Sequence, residues 1–189
     1  MSTLHIFDFD DTLVSSTANV RITKKDGTKI SLSSEEYAKY IEEPGDIPDF
    51  TDFDTYPGDA NIIEPVFAEL RAAIAMDGPR NVVILTARAN RSPVELFLEN
   101  NGIKGVEIEA VGSSNPIEKA RYVLNRVKNE EFDEVRVFED NVRNIRSIQK
   151  VVEKTGVKFT SSRVENGNIT SLDESIALNP KRLISFIYN

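Results

Sequence analysis

The chain has 189 residues, of which 40% are hydrophobic and 29% charged, with a formal net charge of -8, one histidine and no cysteine. This is the profile of one folded domain with its own core, and the acidic balance argues against broad, sequence-independent binding to nucleic acid. The missing cysteines exclude disulfides and thiolate zinc sites, and one histidine excludes a multi-histidine centre, so oxygen ligands and magnesium are expected for any catalytic metal.

The first part of the chain predicts a buried strand followed by a small insertion. Residues 4–9 are mostly apolar and stop abruptly at an acidic segment, as a buried strand does at a polar edge. Residues 20–32 alternate apolar and polar side chains around an Asp-Gly turn, which predicts a β-hairpin. Ser33 and Glu36 form a capping box for a short helix, and a loop follows. We therefore expect a hairpin and helix flap at about residues 14–58.

The remaining chain alternates predicted helices and strands. Helices are indicated by apolar spacing between capping and stop signals, and strands by continuous apolar runs. The helices are expected after Asp59, Ser92, Asn115 and Arg143, and the strands over residues 82–85, 106–111, 135–138 and 157–160. A hairpin at Asn166-Gly167 and a helix after Pro180 would complete the chain. The order predicts an α/β fold with a doubly wound, largely parallel sheet in one domain, residues 1–189.

Polar residues that end apolar strands are the first candidates for chemistry, because ligands of open α/β sheets bind outside the carboxyl ends of the strands. Three such segments are Asp8-Phe9-Asp10-Asp11-Thr12, Leu85-Thr86-Ala87-Arg88 and Phe138-Glu139-Asp140-Asn141. If the strands are neighbours, carboxylates from two ends and a hydroxyl from the third share one crevice. Clustered carboxylates repel one another unless a cation neutralises them, so the pattern predicts a divalent ion.

The first of these segments resembles the DxDxT motif of the haloacid dehalogenase (HAD-like) superfamily. The resemblance implies that Asp8 is a nucleophile and that Asp10 is the acid/base. A carboxylate two positions after the nucleophile marks the phosphatases and phosphomutases of that family and is missing from its dehalogenases. Position 11 is Asp where the family often has Gly, which removes no proposed catalytic group.

Three further motifs of the same family follow in the expected order and extend the resemblance to Asn144. Thr86 resembles the second motif and Lys119 the third, while Glu139-Asp140 with Asn144 resembles the acidic fourth. Glu139 stands where Gly or Asp is frequent and Asn144 replaces a frequent Asp, so the roles of both stay open. Singly, Thr86 could satisfy nearby backbone, Lys119 could be solvated and Glu139-Asp140 could cap a helix.

The resemblance also implies the composition of the site. Magnesium would be held by Asp8, Asp140 and the backbone carbonyl of Asp10, giving the metal set Asp8, Asp10 and Asp140. Lys119 and the Thr86 hydroxyl would supply positive charge and a donor to the transferring phosphoryl group. Candidate substrate contacts are Thr12, Arg88 and Asn141, although a surface position is the favoured interpretation of Arg88 and Arg91.

Members of the family select small substrates with large cap domains, and the flap is too small to be one. The resemblance therefore implies an open site, which would admit the end of a large substrate. Basic hairpin residues could steer a polyanion, or could simply be a solvated edge: Arg21, Lys24, Lys25 and Lys29. The second and third segments, with the small insertion, weakly resemble the phosphatase domain of polynucleotide kinase-phosphatases. No GxxxxGK[ST] loop is present, so a kinase half is not expected.

The leading hypothesis is a magnesium-dependent phosphatase that hydrolyses phosphate monoesters through an aspartyl-phosphate, with polynucleotide ends as one candidate substrate. The alternatives are a small-molecule nucleotidase or sugar-phosphate phosphatase, and a catalytically silent HAD-fold binding module. The expected partner is a phosphorylated substrate, including a nucleic-acid 3′ end; no obligate protein partner is evident. No apolar run reaches about 18 residues and acidic residues come early, so neither a membrane span nor a signal peptide is expected, and a cytoplasmic location is inferred.

Overall fold

The computed structural model describes residues 2–171 as an α/β protein with a small inserted flap. The strands are β1 (Thr3–Phe7), β2 (Val14–Ser15), β3 (Asn19–Thr23), β4 (Lys29–Ser33), β5 (Ile47–Asp49), β6 (Asn61–Ile62), β7 (Val82–Thr86), β8 (Glu107–Ala110), β9 (Glu134–Glu139), β10 (Lys158–Glu165) and β11 (Asn168–Ser171). The α-helices are α1 (Ser34–Lys39), α2 (Glu64–Asp77), α3 (Ser92–Asn100), α4 (Pro116–Asn129) and α5 (Val142–Val152).

The main sheet has six strands in the order β11-β10-β9-β1-β7-β8. All neighbours pair in parallel except β10 and β11, which form the antiparallel hairpin expected at Asn166-Gly167. The chain extends the sheet from β1 to β7 and β8 on one side, then crosses to β9 and β10 on the other. This change of direction beside β1 is where open α/β sheets form ligand crevices.

Helices cover both faces of the sheet, because side chains alternate along each strand. In β1, Leu4 and Ile6 pack into the same cluster as residues of α4 and α5. Phe7 points to the opposite face, where α2 and α3 pack, and its ring stacks on Phe138 at a centroid distance of 4.6 Å. Burying each such side chain contributes about 1.5–3 kcal/mol. The expected α/β architecture with a mostly parallel sheet flanked by helices is confirmed.

The predicted flap is present between β2 and β6, which pair with each other at its base. The expected hairpin is β3 and β4, and β5 adds a third antiparallel strand. The flap has a small core of its own, formed by Val20, Ile22 and Phe53. The capping box of α1 is also present, with Ser33 and Glu36 bonded to each other's backbone. No larger insertion follows β7, since only α3 and β8 separate Thr86 from α4.

Several predicted boundaries were wrong. The stretch expected to be a loop after the first helix contains β5 and a 3-10 helix, Thr51–Asp54. Helix α1 ends at Lys39 because Tyr40 is already extended, and α2 begins at Glu64 because β6 precedes it. Strand β10 is twice as long as expected. The helix predicted after Pro180 lies outside the described residues. Across residues 2–171, the helices are all too short or too polar to cross a membrane.

Candidate active site

The candidate site lies at the carboxyl edge of the main sheet, beside the change of direction between β1 and β9. Asp8 directly follows β1, and Glu139 is the last residue of β9. Thr86 ends β7 on the other side of β1. Since β1 pairs in parallel with both β7 and β9, the three strand ends identified in the sequence lie at one edge. The expected convergence of those segments is therefore observed.

Asp8 is fixed at the start of a tight turn. Its backbone N–H donates to the Phe138 carbonyl at 3.0 Å, which continues the pairing of β1 with β9 past the strand end. The chain then turns back, and the Phe9 carbonyl accepts from the N–H groups of Leu13 and Val14. Asp11 occupies the left-handed region with φ 56°. Gly adopts this conformation without strain and Asp tolerates it better than most residues, which explains why Asp11 can stand at a position often filled by Gly.

Lys119 binds both acidic strand ends. Its Nζ lies 2.6 Å from Asp8 Oδ1 and 2.8 Å from Glu139 Oε2, and its side chain is only 3% exposed. It belongs to the first turns of α4, whose N-terminus is capped by Asn115. A buried ammonium between two carboxylates is not the solvated helix lysine of the alternative interpretation. Burial alone would lower the pKa of Lys119, but Asp8 and Glu139 together raise it above its ordinary value.

Both oxygens of the Glu139 carboxylate have hydrogen-bond partners, and one of them binds Lys119. Oε2 faces Lys119, while Oε1 accepts from Asn144 Nδ2 at 2.9 Å and from the Asn141 backbone N–H at 3.3 Å. Asn144 is buried on α5 and holds Glu139 in place. These contacts assign roles that the sequence left open, since Glu139 orients Lys119 and Asn144 orients Glu139.

The Thr12 side chain connects the loop that follows β1 with the loop that follows β9. Its hydroxyl donates to Asp8 Oδ2 at 3.3 Å and accepts from the Asp140 backbone N–H at 3.1 Å. The residue is fully buried. The contacts of Thr12 are thus with the site's own residues, and its predicted contact with substrate stays a prediction.

The acidic residues form a cluster suited to a divalent cation. One carboxylate oxygen from each of Asp8, Glu139 and Asp140 lies within 4.8 Å of the others. With all three carboxylates ionised, the cluster and the Lys119 ammonium would carry a net charge of -2, which one divalent cation would balance. Burial, then the charge of Glu139, raises the pKa of Asp8 to about 7, although Lys119 opposes this. Burial, then Glu139 and Asp8, raises the pKa of Asp140 to about 10.

Like charges and burial both disfavour ionised carboxylates, so a bound cation would favour the ionised form of this cluster. Oxygen ligands of this type suit magnesium, and the residues present therefore fit a divalent hard cation. Asp8 and Asp140 are the better candidates for ligands, since the oxygens of Glu139 are already bonded to Lys119, Asn144 and backbone. The carboxylate of Asp10 is not part of the cluster.

Asp10 is bound by Arg88. Arg88 Nε donates to Asp10 Oδ2 at 2.9 Å and Nη2 donates to Oδ1 at 2.7 Å, a bidentate pair. The remaining nitrogen, Nη1, donates to the Phe53 carbonyl of the flap at 2.7 Å. The Arg88 side chain is 1% exposed, so its favoured interpretation as a surface residue was wrong. Arg91, with 64% of its side chain exposed, does lie on the surface.

The other predicted residues have local partners. The Thr86 hydroxyl accepts from the Arg88 backbone N–H at 3.2 Å and retains its hydrogen for donation. Asn141 caps α5 by accepting from the Arg143 N–H at 2.9 Å, and its role in substrate binding stays a prediction. Arg163 of β10, which the sequence analysis missed, donates to the Asp140 carbonyl at 3.4 Å. Nothing in its local pattern distinguishes it from other strand arginines.

The basic hairpin residues are partly neutralised inside the flap. Arg21 pairs with Asp52 at 2.7 Å, and Lys24 lies 3.6 Å from Glu43. Residues 14–58 contain nine acidic and five basic side chains, hence a net charge of -4. The flap as a whole is therefore acidic. Among the flap side chains that the structure describes, Arg21 and Lys24 have a short ion pair and Lys25 and Lys29 show none.

Comparisons with protein-family models, with curated proteins and with solved structures found no match to this chain. The case for its function consequently depends on the geometry and chemistry of the site.

Proposed function

We propose that the protein is a magnesium-dependent phosphatase that hydrolyses phosphate monoesters through an aspartyl-phosphate on Asp8. The observation that carries the proposal is the buried contact of Lys119 with Asp8 inside the three-carboxylate cluster. Asp8 lies at the carboxyl edge of the parallel sheet, forms an ion pair with Lys119 and belongs to a cluster that could hold a divalent cation. These features suit a carboxylate that attacks an anionic phosphoryl group. Burying three carboxylates with Lys119 as their shared cation is unfavourable for stability, so a purely structural role does not explain the cluster.

In the first step, an Asp8 oxygen attacks phosphorus and forms a P–O bond while the bond from phosphorus to the ester oxygen breaks. Asp10, protonated on an oxygen lone pair that Arg88 does not use, would give its proton to that leaving oxygen, so the alcohol departs neutral. Lys119 and the Thr86 hydroxyl would offer positive charge and a donor to the phosphoryl oxygens. The products of this step are the free alcohol and phosphorylated Asp8.

In the second step, the Asp10 carboxylate removes a proton from water as the water oxygen attacks phosphorus. The bond between phosphorus and the Asp8 oxygen breaks, which releases inorganic phosphate and restores the Asp8 carboxylate. Asp10 ends the cycle protonated, as it began. The two roles need Asp10 to reach both the leaving oxygen and the water.

A magnesium ion would be held by Asp8 and Asp140, with the backbone carbonyl of Asp10 as the further ligand inferred from the sequence. When bound, it supplies charge neutralisation of the acidic cluster and of the phosphoryl oxygens. Thr12 would keep the two ligand loops at a fixed separation, because its hydroxyl bonds to both of them.

A small phosphate ester is a second candidate substrate beside a polynucleotide end, and one observation favours it. The flap has a net charge of -4, and its arginine and one of its lysines face acidic partners of the flap itself. Such a surface attracts a polyanion weakly, because binding to nucleic acid requires cations that neutralise several phosphates. A small monoester needs only the charges at the base of the crevice.

The test of the proposed function is hydrolysis of a nitrophenyl phosphate ester by the purified protein, with and without magnesium. A nucleoside monophosphate, a sugar phosphate and a 3′-phosphorylated oligonucleotide serve as further substrates in the same assay. We expect release of phosphate that depends on magnesium and is absent from an Asp8→Asn preparation made in parallel. Absence of hydrolysis with every ester would support the catalytically silent binding module instead.

A further inference from the structure

Arg88 is the link between Asp10 and the flap. Two of its nitrogens hold both oxygens of the Asp10 carboxylate, and the third donates to the Phe53 carbonyl. The centre of the guanidinium lies 5.2 Å from the ring centroid of Phe9 and 5.4 Å from that of Phe53. Arg88 thus contacts the turn after β1 through Asp10 and Phe9, and the flap through Phe53.

The shape of the side chain makes this link rigid. A guanidinium is planar and its donors form a fixed fork, so a bidentate pair with a carboxylate sets both the distance and the plane of that carboxylate. Because the Arg88 side chain is buried, removal of the Asp10 carboxylate would leave the guanidinium charge uncompensated and away from water. The third donor uses the same plane, so displacement of the Phe53 carbonyl would tilt the fork that holds Asp10.

We propose that Arg88 is a positioning residue, which orients the Asp10 carboxylate for proton transfer only while the flap is seated against it. The inference rests on the proposed function of Asp10 as acid/base. It differs from the contact with substrate expected from the sequence, because Nε, Nη1 and Nη2 of Arg88 all have partners within the protein. The flap then influences proton transfer through the bond between Arg88 and the Phe53 carbonyl.

The leaving group of the substrate separates this role from a structural one. An alkyl alcohol is a poor leaving group and depends on protonation by Asp10, whereas nitrophenol departs readily as its anion. The value of kcat/KM covers the steps up to phosphorylation of Asp8, so it reports on that protonation. Positioning of Asp10 therefore predicts a loss that is large for alkyl esters and small for nitrophenyl esters.

The variants are Arg88→Ala and Arg88→Lys, with Arg91→Ala as the matched control because Arg91 is exposed and three positions away. General acid catalysis contributes about 10²–10⁴-fold, so we expect Arg88→Ala to lower kcat/KM for an alkyl phosphate by about 10- to 100-fold and for nitrophenyl phosphate by less than about 3-fold. Arg88→Lys keeps the charge but not the fork and should lie between these values. In an Asp10→Asn background, Arg88→Ala should add less than about a 2-fold loss.

Equal losses on both esters, or a full additional loss in the Asp10→Asn background, would overturn the proposal and favour direct binding of phosphate by Arg88. If Arg88→Ala does not fold, the same comparisons are made with Arg88→Lys. Loss in the Arg91→Ala control equal to that in the Arg88 variants would also overturn it.

Amide hydrogen exchange tests the link to the flap without any activity. Loss of the bond to the Phe53 carbonyl should accelerate exchange over residues 47–54 in Arg88→Ala and Arg88→Lys, but not in Arg91→Ala. Unchanged exchange in both Arg88 variants would overturn the coupling. A wild-type protein that hydrolyses no ester would instead refute the proposed function, and the exchange result would still show whether Arg88 secures the flap.

Discussion

Lys119 Nζ lies 2.6 Å from Asp8 Oδ1, although 111 positions separate the two residues in the chain. The same nitrogen is 2.8 Å from Glu139, so one cation serves two carboxylates in a buried site. A phosphoryl group arriving at Asp8 would add negative charge to this arrangement, and Lys119 is a fixed cation already bonded to Asp8. The ion pair with Lys119 would reduce the repulsion between the Asp8 carboxylate and an anionic substrate.

Replacing the nucleophile should remove activity without unfolding the protein. In Asp8→Asn the attacking oxygen is lost, while repulsion among the clustered carboxylates falls. We expect a loss in kcat of at least about 10³-fold, together with unchanged or higher thermal stability. Steady-state kinetics and thermal unfolding measure the two effects. Asp26→Asn at the hairpin turn is the control, and substantial turnover by pure Asp8→Asn would refute the covalent mechanism.

Removing Lys119 should have the opposite effect on stability. Lys119→Met leaves Asp8 and Glu139 without their shared cation in a buried site, and breaking a buried ion pair in this way costs about 3–5 kcal/mol. Urea unfolding of the metal-free protein would show the loss, with Lys128→Met in the exposed last turn of the same helix as control. Adding Glu139→Gln should recover part of it, because one uncompensated charge is removed. A Lys119→Met variant as stable as wild type would contradict the buried pair.

The strand ends were predictable because each buried strand is a continuous apolar run that stops at polar residues. This local signal places Asp8, Thr86 and Glu139 at one sheet edge once the strands alternate with helices. The bond from Arg88 to Phe53 was not predictable, since it joins residues 35 positions apart through the placement of the flap. Strands β5 and β6, with three and two residues, are too short to show an alternating pattern.

The stability of the metal-free protein should fall as pH rises. Burial and neighbouring carboxylates raise the pKa of Asp8 to about 7 and that of Asp140 to about 10, both above the ordinary aspartate value of 3.8. Between pH 4 and 7 the folded state thus binds more protons than the unfolded state. Each extra proton lowers the free energy of unfolding by about 1.4 kcal/mol per pH unit. Urea unfolding from pH 5 to 8 in the presence of a chelator measures this slope.

Asp140→Asn should flatten that slope, because it removes the group with the higher pKa and one source of repulsion on Asp8. Asp26→Asn, whose carboxylate is exposed, should leave the slope over this pH range unchanged. Stability that rises with pH in the metal-free wild type would show that the cluster is neutralised by other means.

Magnesium should stabilise the protein and restore activity after chelation. An ion bound to the folded state raises the free energy of unfolding, and it competes with protons for Asp8 and Asp140, so the gain in Tm should be larger at pH 8 than at pH 5. Calcium should raise Tm without supporting turnover, because its larger and looser coordination misplaces the attacking oxygen. Full activity in excess chelator would exclude a catalytic metal, and an Asp140→Asn variant tests whether the same site is responsible.

The last prediction concerns the charge of the flap and decides between a polynucleotide end and a small ester. Since Arg21 and Lys24 are paired with Asp52 and Glu43, replacing all four basic hairpin residues by Gln should change kcat/KM for a small ester by less than about 2-fold. Of these four residues, Lys25 and Lys29 are the two without such a pair, so their variants carry the test.

Two such contacts to a single strand would give a salt slope of about -1.4 in a plot of log kcat/KM against log salt, at about -0.7 for each neutralised phosphate. We expect a slope near zero for a 3′-phosphorylated oligonucleotide, unchanged in Lys25→Gln/Lys29→Gln, because the acidic flap offers no continuous basic surface. A slope of -1.4 or steeper that disappears in the double variant would instead establish the polynucleotide end as substrate. A parallel measurement on a nucleoside monophosphate separates loss of electrostatic steering from damage to the site, because damage would lower kcat/KM equally for both substrates.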